Sequence, residues 1–398
     1  MPIYKYRCKH SADGFDCGLR RSELAKFIFL VGVAGAMAIP SPGQSAPSAK
    51  PKSGAPAAVA RNWTPPKTAW GDPDLQGMWP NTDLLGVPLQ RDPKMGTRAL
   101  LTDAEYAQRE ARAKRSDEGL NQKYDKLDGP VSTGSPIWWI EHGRPTRQAS
   151  LIVDPPDGRI PPLTPEAIKL AEARDAKFHL TYGAERKATG SNETWIDDVL
   201  ALEDSYDSNI YDRCITRGLI GSILPGEPGG YNQGNQIIQA PGVVVLRNEM
   251  IHEARVIPLD GRPHVGLSVR TYMGDSRGHW EGSTLVVETT NFLGGQVGLK
   301  SKGAGTPYSD ALVITERFTR VAPDTINYEA LLNDPKTYVR PWKVAFPLHE
   351  SPNYQMVEYS CHEGNYALMG ILRGSFAERK AAEEKAADAK ADARKAAQ

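Results

Sequence analysis

Three dipeptides in this chain, His252-Glu253, His349-Glu350 and His362-Glu363, set an imidazole beside a carboxylate and invite comparison with the helical zinc motif His-Glu-x-x-His. That motif needs a second histidine four residues on, one turn further along the same helix face. Val256, Asn353 and Tyr366 stand there instead, which argues against a zinc protease of this type; no metal is assigned, and a site assembled from distant strands, for instance His252 with His362 and a carboxylate, stays open as the alternative. Gly274-Asp275-Ser276-Arg277-Gly278 spells Gly-x-Ser-x-Gly, the letters of a nucleophile elbow. An elbow joins a strand to a helix. Here the segment separates two strand-like runs, so it reads as a glycine-rich hairpin loop in preference to a site with Ser276 as nucleophile and His279 or His264 as base.

Side-chain parity offers a different lead, because alternate residues of a strand face alternate sides. Along Ala311 to Val321, Leu312, Ile314, Glu316 and Phe318 share a face, which turns a carboxylate toward apolar neighbours. Burial raises a carboxyl's pKa unless it is paired, the condition for acid/base work near neutral pH. The same counting places His252 with Met250, Ala254 and Val256, and Tyr328 with Ile326, Ala330 and Leu332. His252 as base, Glu316 as acid or its orienter, and Tyr328 as donor to developing negative charge form the candidate catalytic set. Trp342 and Phe346 on the next run supply an apolar wall for a substrate. The structural alternative is a core salt bridge from Glu316 to Arg255 or Arg213, with His252 an ordinary interior histidine.

The elements that must carry these residues are strands. From Tyr231 onward, apolar or alternating runs recur at Gln236 to Arg247, Met250 to Pro258, Val265 to Met273, Ser283 to Phe292, Ala311 to Val321, Thr325 to Leu332, Val339 to Phe346 and Tyr354 to Cys361. Turn signals such as Leu259-Asp260-Gly261, Gly274 to Gly282 and Ala322-Pro323-Asp324 separate them. Eight short strands without intervening helices predict a mainly β fold: an antiparallel meander barrel of calycin or lipocalin type over 231–375, with a two-layer sandwich as the alternative. An irregular arm over 67–230 packs on it. The capping box Thr102-Asp103-Ala104-Glu105 opens one helix of the arm to about Ser116, and Thr164-Pro165-Glu166 opens a second to about His179. Residues 376–398, nearly all Ala, Lys, Glu, Asp and Arg, form a solvated charged helix.

At the other end, residues 1–38 read as an export signal. Arg20-Arg21 and Lys26 precede a short apolar run, Phe27 to Ala34, and Ala36-Met37-Ala38 gives the small-x-small cleavage pattern. The run is too short to span a bilayer. The paired arginines resemble the twin-arginine signal, with Leu19 and Glu23 departing from it, so both that route and ordinary Sec export stay open. Residues 39–66, rich in Pro, Ser, Ala and Lys, are a linker with too little apolar surface to fold alone. The full chain of 398 residues carries 48 basic and 48 acidic residues. Losing the signal barely disturbs that balance, so the basic surface of a nucleic-acid binder is absent. It does remove Cys8 and Cys17, leaving Cys214 and Cys361 as a candidate disulfide or as two separate buried thiols.

Tyr211-Asp212-Arg213-Cys214-Ile215-Thr216-Arg217-Gly218, Glu249 to Arg255, Met273 to Gly278 and Cys361-His362-Glu363-Gly364-Asn365-Tyr366 resemble a family of secreted bacterial proteins to which no activity is assigned. The resemblance spans roughly residues 70–375 and implies an extracytoplasmic domain without naming a mechanism.

If Cys214 and Cys361 join, Arg213 and His362 are drawn together as substrate-binding groups or as a locked corner. No phosphate-cradling, dinucleotide, Cys-x-x-Cys or haem-attachment motif occurs after residue 38, so no cofactor is assigned. The expectation is a periplasmic or secreted β-barrel enzyme, a lyase, isomerase or hydrolase acting on a small, partly apolar molecule by cofactor-free acid/base chemistry, with no nucleic-acid partner and no stable membrane insertion. The alternatives are a lipocalin-like binding protein without turnover and a structural protein of the cell envelope.

Overall fold

A computed structural model describes residues 6–11, 14–19, 63–84, 86–125, 143, 145–172, 213–216, 232–294, 306–363 and 367–396. The apolar run and cleavage pattern of the export signal, most of the linker, Asp212 and the end of the helix opened by Thr164 lie outside these residues. The chain divides into two compact units, Met1–Pro51 and Lys52–Gln398. In the first, β1 (Tyr6–Ser11) pairs antiparallel with β2 (Gly14–Leu19).

The second unit is mainly β. Its strands are β3 (Gly77–Met78), β4 (Ile152–Asp154), β5 (Asn235–Ala240), β6 (Val243–Asn248), β7 (Ala254–Pro258), β8 (Asp275–Glu281), β9 (Thr284–Thr290), β10 (Val313–Ala322), β11 (Thr325–Asn333) and β12 (Trp342–His349). They form a six-stranded antiparallel sheet in the order β4-β12-β11-β10-β9-β8 and a four-stranded one in the order β3-β5-β6-β7. Among the described residues no hydrogen-bonded ladder joins the two into a closed barrel. Ile237, Val244, Leu246 and Ile257 of the smaller sheet share one core with Ile314, Phe318, Tyr328 and Phe346 of the larger.

Several elements differ from their sequence reading. The run from Gln236 to Arg247 is a hairpin turning at Pro241-Gly242, where Gly242 takes a positive φ of 75°. The glycine-rich stretch from Gly274 to Gly282 contains strand β8. Gly278 lies inside β8, where a Cβ would come within 2.8 and 2.7 Å of side-chain methyls of Ile257 and Leu259, so any larger residue would push these side chains aside. Conversely, Val265 to Met273 and Tyr354 to Cys361 are not strands; Val265, Leu267 and Val269 alternate convincingly yet stand exposed on a loop.

The arm contributes more than helices. β3 joins the outside of β5, and β4 the outside of β12, so both sheets are completed by residues far upstream. Its first helix, α1 (Asp103–Asp125), begins with the reciprocal bonds of a capping box: Glu105 N donates to Thr102 Oγ1 at 3.3 Å and Thr102 N to the Glu105 carboxylate at 2.8 Å. Ala167 N donates to Thr164 Oγ1 at 3.1 Å where residues 165–172 turn helical. The charged tail is helical from Ala367 to Ala396, designated α2. Among the described residues no helix is long and apolar enough to cross a membrane.

Candidate functional site

The carboxylate read from parity on β10 is where the alternation puts it. β10 alternates between half-buried and buried positions, and Glu316 is fully buried. Its partner comes from the facing sheet: Arg255 of β7 donates Nη1 to Oε2 at 2.6 Å and Nη2 to Oε1 at 2.9 Å. Tyr328 of β11 donates its hydroxyl to Glu316 Oε1 at 2.9 Å. A bidentate guanidinium and a phenol thus tie the two sheets together through one carboxylate. Burial pulls the Arg255 pKa down, but the adjoining Glu316 carboxylate outweighs that and raises it above its ordinary value. Burial, then the Glu316 charge, pushes Tyr328 far above its ordinary range, so it acts only as a donor.

His252 does not join this group. Its side chain is exposed, and Nδ1 donates to the Tyr359 carbonyl at 2.9 Å. The expected parity breaks because Met250–His252 is a 3-10 turn in which Ile251 and His252 both adopt positive φ, 61° and 46°. Strand alternation resumes only after it, with Glu253 and Arg255 turned inward while Ala254 and Val256 face solvent. A one-residue slip of this kind moves every side chain to the opposite face.

Sequence reasoning therefore missed Glu253, the neighbour of the histidine it named. Glu253 is 8% exposed and Arg255 5%. Thr216, fully buried, donates its hydroxyl to Glu253 Oε2 at 2.5 Å, while Oε1 has no hydrogen-bond partner among the described residues. Burial raises the Glu253 pKa to about 7 against the opposing pull of the Thr216 hydroxyl and the Arg255 charge. Counting back in twos from the apolar Ile257 through Arg255 would have found it.

Cys214 and Cys361 form a disulfide with Cα atoms 5.9 Å apart. It packs with Met250 and Ile251, on the turn that leads into Glu253. Arg213, beside it, stacks its guanidinium 5.1 Å from the Tyr272 ring centroid and donates to the Tyr272 hydroxyl at 2.8 Å. His362 is exposed. Trp342 and Phe346 are core residues: the Trp342 ring meets Tyr338 edge-on at 5.9 Å, and Phe346 continues the Phe318–Tyr328 stack at 5.0 Å. Beside Phe318, the void lined by Trp79, Ile237, Leu246 and Leu348 measures about 10 Å³, room for no more than a water.

Ser276 is an interior residue of β8, its hydroxyl 2.8 Å from that of Thr289 directly across in β9. A strand interior cannot make the strand-to-helix turn of a nucleophile elbow. Among the described residues no group of three or more His, Cys, Asp or Glu side chains is placed to hold a metal ion. No family model, curated protein or solved structure matches the chain.

Proposed function

We propose that this chain is an exported enzyme that moves a proton to or from a small, partly apolar molecule, with Glu253 as its acid/base group and no nucleotide cofactor. The observation that carries the reading is the state of Glu253: one oxygen is held by Thr216, the other has no partner among the described residues, and its pKa of about 7 lets it give and take a proton at neutral pH. Arg255, two residues along the same inward face, brings positive charge to the place where negative charge would develop. Glu316 and Tyr328 are positioning residues that fix that guanidinium. Lyase, isomerase and hydrolase chemistry all fit such a group.

Export is supported by the signal-like residues Arg20-Arg21 and Ala36-Met37-Ala38 and by the disulfide, a bond of oxidising compartments. Membership of the secreted family suggested by the Cys214 and Cys361 motifs agrees with it. A calycin-like barrel would need two seams, one between β7 and β8, where the side chains of Ile257 and Leu259 lie over Gly278, and one between β3 and β4. A lipocalin-like carrier would hold its ligand in the middle of that barrel, and small-molecule sites occupy roughly 300 Å³ or more. The packed aromatic column of Phe318, Tyr328 and Phe346 argues against a ligand held among these rings. An envelope protein with a purely structural core would have no use for a half-paired carboxyl.

The test is incubation of the purified, oxidised protein with a metabolite extract, followed by mass spectrometry. Consumption of a compound by the wild type and not by Glu253→Gln, with circular dichroism unchanged, supports the reading. Equal consumption by the variant moves the chemistry elsewhere, and a compound captured but returned unaltered makes the protein a carrier.

A further inference from the structure

We propose that the Cys214–Cys361 disulfide is a clamp that holds Thr216 on the Glu253 carboxyl, so that the acid/base group works only while the bond is closed. This rests on the reading of Glu253 as the proton-transferring group.

The bond reaches both ends of the Thr216–Glu253 hydrogen bond. On the donor side, Thr216 stands two residues from Cys214, whose own backbone is left-handed at φ 57°. The segment 213–216 has a second anchor in the Arg213–Tyr272 pair. On the acceptor side, the disulfide packs on Met250 and Ile251, directly before Glu253. A β-branched residue at φ 61° is a strained arrangement that persists only where its surroundings enforce it. Among the described hydrophobic residues, Cys214, Cys361 and Tyr359 pack with it together with its neighbour Met250. The same bond therefore fixes the donor and the turn that aims the acceptor.

Among the described residues, the charged and polar groups facing Glu253 are Thr216 from segment 213–216, Arg255 from β7 and Glu316 from β10. The last two are locked to each other across the sheets, so of these groups Thr216 is the one whose position depends on the disulfide. A dithiol would open the clamp by thiol–disulfide exchange: the S–S bond takes two electrons and two protons, two cysteine thiols form, and the dithiol departs as a cyclic disulfide. Thr216 is then released and Glu253 meets water. Loss of desolvation favours the ionised form, so reduction should lower its pKa. Removing only the Thr216 hydroxyl, with burial kept, should raise it.

The experiment follows the side-chain carboxyl resonances of isotope-labelled glutamate in the full-length protein by NMR across a pH titration. The Glu253 signal is assigned by its loss in Glu253→Gln. In the oxidised wild type it should titrate near pH 7; dithiothreitol should move the midpoint down by a unit or more. Cys214→Ser/Cys361→Ser should match the reduced wild type and no longer respond to dithiothreitol. Thr216→Val in the oxidised protein should move the midpoint up, which needs no change in the cysteines and decides the matter if the reduced chain unfolds. An unmoved midpoint, in the reduced wild type with both thiols free or in Thr216→Val, overturns the clamp while leaving the acid/base reading standing. A midpoint in the ordinary carboxylate range in the oxidised wild type overturns both.

Discussion

Glu249 and Glu253 stand at the two ends of the turn Met250–His252, and both are buried. Glu249 accepts from Asn232 Nδ2 at 3.0 Å, Gly234 N at 3.2 Å, the Tyr354 hydroxyl at 2.5 Å and Val357 N at 2.8 Å, and so pins the loop after β12 to the start of β5. Among the described residues the Glu253 carboxyl accepts from Thr216 alone. A buried carboxylate with all its acceptor sites filled by fixed donors is a structural fastening; one with an oxygen left over holds its charge at a cost and can exchange a proton instead. Glu316 belongs with Glu249, since Arg255 and Tyr328 occupy both its oxygens. Four residues of sequence thus separate a fastener from a candidate acid.

The sharpest way to break this contrast is to strip Glu316 of its partner. Arg255→Met should lower unfolding stability by about 3–5 kcal/mol in denaturant titration at neutral pH, because an uncompensated charge is left between the sheets. Adding Glu316→Leu should recover most of that loss. Next comes the pH dependence of Glu253. Its folded pKa of about 7 lies above the ordinary value of 4.5, so between these pH values the folded chain keeps a proton that the unfolded chain releases. Its contribution to stability is therefore full below that window and lost as pH rises through it, a change on the order of 3 kcal/mol. Glu253→Gln should flatten this part of the pH–stability curve; a slope that survives the substitution would assign the proton to another group.

Tyr328→Phe should cost about 1–3 kcal/mol, the range for removing a buried hydrogen bond to a carboxylate, and should leave the Glu253 titration where it is. The smallest effect is expected at the residue that sequence parity favoured. His252→Ala should change stability by less than about 0.5 kcal/mol and leave turnover intact; loss of activity there would return His252 to the site.

Half of the central cluster was legible from sequence, for a reason seen in particular residues. β10 and β11 run regularly through Glu316 and Tyr328, so parity counted from their apolar neighbours gave the correct face. The structural alternative of a Glu316–Arg255 salt bridge is the arrangement found. Glu253 was missed because parity counted from Met250, and not from Ile257, starts on the far side of the left-handed Ile251 and His252; no local signal announces positive φ at a β-branched residue. Thr216 was out of reach for another reason: only tertiary packing brings it to a residue 37 positions away. Glycine misled in the opposite direction at Gly278, where it marks close packing of β7 on β8 and not a turn.

The short strands β3 and β4 have a consequence for solubility. Without β4, the backbone of β12, with Val344, Ala345 and Phe346 along it, would present an open rim on which another chain could add a strand. Ile152–Asp154 occupies that position, helped by Gln148, whose side-chain amide donates to the Ala345 carbonyl at 2.7 Å. Gly77–Met78 does the same for β5. The irregular arm therefore works as an intramolecular stopper, and a fragment beginning at residue 231 should aggregate even though it carries eight of the ten strands of the two sheets.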